Sequence, residues 1–207
     1  MNIVKNLVSS TKYNIKCPYA MTPEFIVVHN TGNNASAKNE IAYMISNNNE
    51  VSFHYAIDDK EIVQGIPENR NAWHAGDGGS GKGNRKGIAI EICYSLSGGD
   101  KFVAAEKLAA QFIASKLKEK GWGIDKVKKH QDFSGKYCPH RTLDMGWQRF
   151  LNMIQSYMNN NSAASSSISA KKTLYKVQAG AYSNKTNAEA QVARLKKAGF
   201  DACIVIE

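Results

Sequence analysis

Short apolar runs in the first 160 residues alternate with polar positions in patterns that predict β-strands. EFIVVHN (24–30) is mostly apolar and ends near a histidine, and VSFHYAID (51–58) alternates. In GIAIEIC (87–93), three isoleucines share one face while Glu91 lies on the other. Strict alternation, or a short apolar run bounded by turn residues, is typical of a strand that packs into a core. We therefore predict three strands in these segments.

Helical spacing of apolar residues predicts three helices in the same region. They are KNEIAYMISNNN (38–49), VAAEKLAAQFIASKLKEKG (103–121) and TLDMGWQRFLNMIQSYM (142–158), whose apolar stripe we interpret as core. Gly121 is placed to end the second helix. Because strands and helices alternate along the chain, the predicted class is α/β, a sheet with helices packed on it.

A change of composition divides the chain in two. NNNSAASSSISAKK (159–172) has no apolar period and is typical of a flexible linker. It separates a main domain, 1–158, from a tail, 173–207, whose pattern predicts a small strand–helix–strand (βαβ) unit. About 35 residues bury little surface alone. We expect the tail to pair with a second copy, to dock on the main domain, or to be a piece of a larger module.

Charge, hydropathy and cysteine spacing restrict the partners, the membrane association and the thiol chemistry that the chain can have. The net charge of +9 favours anionic partners such as nucleic acid, acidic lipid or bacterial wall polymers. No apolar run approaches the roughly 20 residues of a membrane helix, so we predict no membrane insertion. The N-terminal segment lacks the apolar core of a signal peptide. The four cysteines form no CxxC pair, which favours free or metal-bound thiols.

The segment HQDFSGKYCPH (130–140) raises the question of what Cys138 does. Together with His29 and His130 it makes a set of two nitrogens and one thiolate, which suits a catalytic zinc that keeps its fourth position open. Cys138 could instead be a plain buried thiol. It could also be a nucleophile paired with a histidine, although no third group that would orient the histidine is apparent.

Two charged residues are candidates for catalysis. Glu91 interrupts an isoleucine-rich strand, and a buried carboxylate either finds a partner or has a raised pKa. Such a group could take a proton from water beside a metal; a salt bridge to a lysine is the alternative. Lys136 lies two residues before Cys138 and could stabilise an oxyanion, or it is an exposed loop lysine.

A glycine-rich stretch, AWHAGDGGSGKGNRKG (72–87), is predicted to be a long irregular loop near the site. It is not a phosphate-binding P-loop, because no Ser or Thr follows Gly81 and Lys82. His74 is the best candidate in this loop for a substrate contact. Trp73 could stack on a sugar or simply pack in the core.

Five motifs now resemble one family. PEFIVVHNTGN, EVSFHYAIDD, NAWHAGDG, GIAIEICYS and HQDFSGKYCPHR are similar, in order, to segments of the zinc-dependent type 2 N-acetylmuramoyl-L-alanine amidases. Relatives of these amidases include phage T7 lysozyme, the peptidoglycan recognition proteins and the endolysins of phages of Bacillus-like bacteria. The resemblance covers roughly residues 1–155. It implies a central mixed β-sheet flanked by α-helices.

The same resemblance implies an activity and assigns residues to it. The activity is hydrolysis of the amide between N-acetylmuramic acid and L-alanine of the peptidoglycan stem peptide. The zinc ligands fall on His29, His130 and Cys138, the catalytic acid–base residue on Glu91 and the assisting lysine on Lys136. A zinc-dependent wall binder that does not cleave is the alternative, although binding alone would need neither Glu91 nor Lys136.

The tail, YKVQAGAYSNKTNAEAQVARLKKAGFDACIV, resembles half of a sporulation-related repeat (SPOR). That family binds the glycan strands of peptidoglycan, so Gln178 and Tyr182 are candidate substrate contacts. A half module could self-associate. The partner implied for the whole chain is bacterial peptidoglycan rather than nucleic acid. The missing signal peptide suggests an endolysin that is made in the host cytoplasm and acts on the wall after release; a bacterial enzyme of mother-cell lysis would look the same.

Overall fold

The computed structural model describes residues 2–160, 179–200 and 202–204. The chain divides into two compact units, Met1–Ser166 and Ser167–Glu207. This division falls inside the segment 159–172, which the sequence predicts to be a linker. The boundaries of the two predicted domains stay a prediction.

The first unit contains six strands and seven helices among its described residues. The strands are β1 (Ile3–Lys5), β2 (Phe25–Asn30), β3 (Tyr55–Ile57), β4 (Ile62–Gln64), β5 (Gly87–Ile92) and β6 (Val127–Lys129). The helices are α1 (Tyr13–Lys16), α2 (Ala37–Ser46), α3 (Lys82–Lys86), α4 (Gly99–Lys120), α5 (Gln131–Ser134), α6 (His140–Asp144) and α7 (Trp147–Asn160).

The six strands form one mixed sheet in the order β1-β4-β3-β5-β2-β6. Only β3 and β4 run antiparallel to each other; the other neighbouring pairs are parallel. The predicted α/β class and mixed sheet are therefore confirmed. The three predicted strands are present, although β3 is shorter than its predicted segment. The sequence pattern missed β1, β4 and β6, which have three residues each and are too short to show a period.

Helices pack on the sheet and close the core around its central strands. Helix α4 contacts β3 and β5, and α2 contacts β3 and β4. The isoleucines of β5 and Ile26 of β2 are fully buried, and Phe112 of α4 is only 2% exposed. Helix α4 begins at Gly99, before the predicted start, and ends at Gly121, whose positive φ of 65° is the left-handed cap that the sequence predicts.

The single helix predicted over 142–158 is wrong, because two helices are present. Gly146 has a φ of 102°, which is outside the helical region and favours glycine. It separates α6 from α7, so Leu143 does not belong to the apolar stripe. The remainder of the stripe is core as predicted, since Phe150 and Ile154 are fully buried.

In the second unit the structure describes one helix, α8 (Lys185–Lys197), which the sequence predicts. The two predicted flanking strands cover 174–182 and 200–207. Their described residues, 179–182, 200 and 202–204, are not in a strand, so the prediction is wrong for those residues. Their other residues lie outside the described ones. Within the described chain, no helix has the length and apolar character needed to cross a membrane.

An ion pair links α4 to α7 inside the first unit. Nη2 of Arg149 donates to both carboxylate oxygens of Glu106, at 2.8 and 2.7 Å. The carboxylate is almost fully buried, at 1% side-chain exposure, whereas Arg149 is 36% exposed. Removing one partner of such a pair costs more than removing both, because a lone buried charge is left behind.

We predict that Arg149→Met lowers the free energy of unfolding by about 3 kcal/mol. The double variant Glu106→Met/Arg149→Met is expected to recover most of that loss, since it leaves no buried carboxylate. Urea unfolding of the full chain measures both effects. Equal destabilisation by the single and double variants would show that the buried charge is not the cause.

Candidate active site

The candidate site lies at the carboxyl ends of three neighbouring parallel strands. In β2 and β5, His29 stands directly opposite Glu91. Strand β6 pairs with the other side of β2 and is followed at once by His130, whose backbone N–H donates to Val28 at 3.3 Å. Paired residues in register point to the same side of a sheet. Sheet pairing therefore brings His29 together with Glu91, 62 positions later in the sequence, and with His130, 101 positions later.

Cys138 completes a cluster of possible metal ligands. One ligand atom each from His29, His130 and Cys138 lies within 4.8 Å of the others, and all three residues are buried. Nδ1 of His29 is 3.0 Å from Nδ1 of His130 and 3.9 Å from Sγ of Cys138. The loop that carries Cys138 is tied to the strand end, because Gln131 N–H donates to the Cys138 carbonyl at 3.0 Å.

The donor set fits a zinc ion. Two ligands held at about 2.0 to 2.3 Å from one tetrahedral ion are about 3.3 to 3.7 Å apart. The two separations that involve His29, 3.0 and 3.9 Å, lie close to this range, and the whole cluster spans 4.8 Å. Two imidazoles and one thiolate leave a fourth position open, which is the arrangement of catalytic rather than structural zinc. The three residues thus form a possible metal site.

Protonation of the cluster follows from its burial. Burial lowers the pKa of His29 well below its usual range, and His74, His130 and Lys136 push it the same way. Burial and Lys136 also lower the pKa of His130. Both imidazoles are therefore neutral and can offer lone pairs. Burial, with Glu91 adding to it, raises the pKa of the Cys138 thiol to about 11, so metal binding there would release a proton.

Glu91 lies at the edge of the cluster with one oxygen, Oε2, buried and without a hydrogen-bond partner among the described residues. Burial is the main cause that raises the pKa of Glu91 to about 8; Glu40 adds to the rise and Lys136 opposes it. The salt bridge considered as an alternative is absent, since no ion pair in the described chain includes Glu91. A carboxyl of this kind can hold or release a proton near neutral pH.

A cavity of about 750 Å³ gathers the predicted residues of the main domain. Those it brings together are His29, Trp73, His74, Glu91, His130, Lys136 and Cys138. Lys136 is exposed at its mouth, whereas the three candidate ligands are buried. The cavity therefore joins a possible metal site, an acid–base candidate and a cation in one space that a substrate can enter.

The sequence profile of the N-acetylmuramoyl-L-alanine amidases (Amidase_2) matches residues 19–141. That match covers more than half of the chain and includes every residue of the ligand cluster. The chain belongs to this amidase family.

Curated relatives and a solved structure agree with the family assignment. The N-acetylmuramoyl-L-alanine amidase XlyB of Bacillus subtilis (strain 168) is 56% identical over 180 residues, which are 86% of this chain and 57% of XlyB. The amidase CwlA of the same strain is 52% identical over 199 residues, 90% of this chain and 73% of CwlA. The structure of PlyL is 53% identical, with a TM-score of 0.72, over 74% of this chain and 97% of PlyL. The chain thus spans 57% and 73% of the lengths of these two curated relatives.

A second profile, the SPOR domain, matches residues 147–206. The match begins at the first residue of α7, which packs against α4 within the first compact unit. It therefore reaches further back than the predicted tail. Tyr182, a predicted glycan contact, is 46% exposed. Gln178, the other predicted contact, lies outside the described residues.

The two loop residues predicted to contact substrate, Trp73 and His74, both line the cavity. Trp73 is also anchored: its indole N–H donates to the Ile15 carbonyl at 2.9 Å, and its ring meets Tyr19 edge-on at 6.0 Å. His74 is 9% exposed. Substrate contact by either residue stays a prediction.

The glycine-rich loop is more ordered than predicted. Residues 82–86 form α3, so the expectation of an irregular segment over all of 72–87 is wrong there. The carboxylate of Asp77 accepts the backbone N–H of Gly83 and of Asn84. Asn84 Oδ1 in turn accepts the backbone N–H of His74 and of Ala75, both at 2.8 Å. Side chains of the loop therefore fix its shape.

Sequence reasoning missed one wall of the cavity. The missed lining residues include Tyr19, Glu50, Val51, Phe53 and Ser134. Glu50, Val51 and Phe53 lie in the EVSFHYAIDD motif and Ser134 in HQDFSGKYCPHR, but no residue type or spacing there marked them as part of the cavity. Sequence reasoning also missed Glu40, which does not line this cavity but adds to the raised pKa of Glu91. Its only signal in the sequence is a carboxylate on a half-buried helix face. The thiols of Cys17 and Cys93 are free and buried, as expected.

We predict that Glu91→Gln stabilises the metal-free protein at alkaline pH. Folding raises the pKa of Glu91 from 4.5 to about 8, so the folded state binds the proton more tightly. Stability from this group is present below pH 4.5 and is lost as pH rises through 8, by about 1.4 kcal/mol per unit of pKa shift. The amide variant has no proton to lose.

Thermal unfolding in a chelator at pH 4.5 and pH 8.5 measures this effect. The Tm of the variant, relative to that of the wild type, is expected to be higher at pH 8.5 than at pH 4.5. The same difference in Tm between variant and wild type at both pH values would mean that Glu91 titrates normally in the folded protein.

Proposed function

We propose that this chain hydrolyses the amide bond between the lactyl group of N-acetylmuramic acid and L-alanine of the stem peptide in bacterial peptidoglycan. The observation that carries the proposal is the cluster of His29, His130 and Cys138 beside Glu91 in a single cavity, in a member of this amidase family. XlyB and CwlA are named for the same activity, but the chain spans only part of each, so the activity is proposed for it here.

Zinc is the cofactor that the ligand set favours. Nδ1 of His29, Nδ1 of His130 and Sγ of Cys138 would hold it, and when bound it supplies Lewis acidity beside the scissile carbonyl and lowers the pKa of water. The neutral imidazoles and the buried thiol are in place for this. Among the described residues, no other group of three His, Cys, Asp or Glu side chains lies close enough together to hold a metal ion.

Glu91 moves the proton in the proposed reaction. Its unpartnered Oε2 takes a proton from the water that attacks the lactyl carbonyl, and the same oxygen gives the proton to the departing L-alanine nitrogen. The products are a free lactyl carboxylate and a free amino group. A pKa raised by burial suits both halves of this transfer, because the group must be a base first and an acid afterwards.

Lys136 supplies a positive charge to the cavity. It lines the same cavity, and its charge reaches His29, His130, Glu91 and Cys138. An ammonium there stabilises the oxyanion that forms when water adds to the carbonyl. Its exposure leaves the side chain free to reach the substrate.

The partner proposed for the whole chain is the bacterial wall. The net charge of +9 suits its anionic polymers. The SPOR match supports glycan binding by the C-terminal region, in which Tyr182 is exposed and Gln178 is the second candidate. Self-association of the tail, and synthesis in a host cytoplasm followed by action on the wall as an endolysin, remain parts of this proposal.

We predict that the purified chain releases L-alanine amino groups from cell walls and no reducing ends. Glu91→Ala is expected to lower the rate by at least about 100-fold and to keep its zinc, because a general base contributes that much and is not a ligand. Amino-group and reducing-sugar assays on the same digest measure the products. Release of reducing ends would indicate a glycosidase, and binding without either product would indicate a recognition protein.

We predict that Cys138→Ser no longer retains zinc through gel filtration, whereas the wild type retains one ion per chain. Serine is a poor zinc ligand at neutral pH, so only two ligands remain. Elemental analysis of the eluted protein measures the metal. Cys93→Ser is the matched control, because that thiol is equally buried but lies outside the cluster. Full zinc retention by the Cys138 variant would remove this residue from the ligand set.

A further inference from the structure

A buried histidine that the proposed mechanism does not use contacts one of the candidate ligands. Nδ1 of His74 lies 3.0 Å from Nε2 of His29, on the side of the ring away from the metal cluster. The two rings are nearly perpendicular, at 87°, with centroids 5.0 Å apart. Both side chains are buried, so water does not compete for this hydrogen bond.

The hydrogen bond bears on which nitrogen of His29 carries the proton. A neutral imidazole has one N–H and one lone pair. If Nε2 of His29 donates to His74, then Nδ1 keeps its lone pair and points it at His130 and Cys138. If the proton sits on Nδ1 instead, it occupies the space between His29 and His130, which are 3.0 Å apart there, and His29 cannot bind a metal.

His74 is held where it can select between these two forms. Its backbone N–H donates to Oδ1 of Asn84, and the 4% exposed Asn84 is itself bound by Asp77. Nε2 of His74 is buried without a hydrogen-bond partner among the described residues, while the backbones of Gly83 and Gly87 act as nearby acceptors that raise the pKa of His74. A proton on Nε2 leaves Nδ1 of His74 as an acceptor for His29.

The backbone of Ala75, next in sequence to His74, acts as an acceptor that raises the pKa of His130. His54, by contrast, is fully engaged elsewhere: its Nδ1 accepts from Ala89 N–H and its Nε2 donates to the Arg70 carbonyl, both at 2.9 Å. His54 is thus structural, and His74 is the histidine available to His29.

We propose that His74 is a positioning residue that accepts the Nε2 proton of His29 and so presents the Nδ1 lone pair to the metal. The inference rests on the proposed zinc function. It gives His74 a role that does not require substrate contact. A hydrogen-bond acceptor behind a histidine ligand typically changes metal affinity by about 10- to 100-fold.

Zinc affinity of the full chain tests the proposal, measured by competition with a chromophoric chelator. His74→Phe keeps the bulk of the ring and removes the acceptor, and we expect zinc binding to weaken about 10- to 100-fold. His74→Gln offers a side-chain oxygen of similar reach, and we expect it to restore most of the affinity. Nitrogen NMR of the metal-free protein gives a second readout: the His29 ring is expected to be protonated at Nε2 in the wild type.

The outcomes separate this inference from the function on which it rests. Wild-type protein that binds zinc, together with a His74→Phe variant that binds it within about twofold, would overturn the role of His74 and leave the amidase proposal standing. A wild-type His29 ring protonated at Nδ1 would overturn it as well, even if the variants fold poorly. Wild-type protein without zinc affinity would instead remove the zinc function itself.

Discussion

The parallel pairing of β2 with β5 on one side and β6 on the other is the constraint on which the site depends. Parallel strands end at the same edge of a sheet, so pairing alone delivers His29, Glu91 and His130 to one place. A slip of one residue in β5 would turn Glu91 to the opposite face and place an isoleucine beside the ligands. The buried isoleucines of β5 oppose such a slip, because it would also turn them away from the core.

Two loops supply the remaining side chains of the site, Cys138 and His74. Cys138 reaches the cluster from the segment after α5, which is fastened by a backbone hydrogen bond to Gln131. The loop that carries His74 is shaped by Asp77 and Asn84 rather than by an apolar core. The sheet edge thus carries two candidate ligands and Glu91, and the loops form walls of the cavity, which is the usual arrangement of sites on α/β folds.

Burial at the site works against stability and in favour of chemistry. Glu91 has a buried oxygen without a partner among the described residues, whereas the buried carboxylate of Glu106 is satisfied by Arg149. Unsatisfied groups of this sort cost free energy and persist where function requires them. The contrast between two glutamates in one domain separates a structural carboxylate from a reactive one.

The sequence predicts the parts of the fold and site that carry a local signal. The apolar runs of β2 and β5, the glycine stop of α4 and the odd carboxylate in an isoleucine strand are all visible in it. The short strands β1, β4 and β6 are not, because three residues show no period, and the break at Gly146 was hidden by an apolar stripe that continues through it. The part of the cavity lined by Tyr19 and Glu50, and the contact between His29 and His74, depend on how distant segments meet in the fold. No single segment of the sequence encodes such a meeting.

The central claim is that two imidazoles and one thiolate hold a single zinc ion with a position left open. X-ray absorption at the zinc edge of the loaded wild-type protein tests it most directly. The account predicts one sulfur at about 2.3 Å and two nitrogens at about 2.0 to 2.1 Å, with one further light atom completing a four-coordinate shell. A shell without sulfur, or one with two sulfurs, would contradict it.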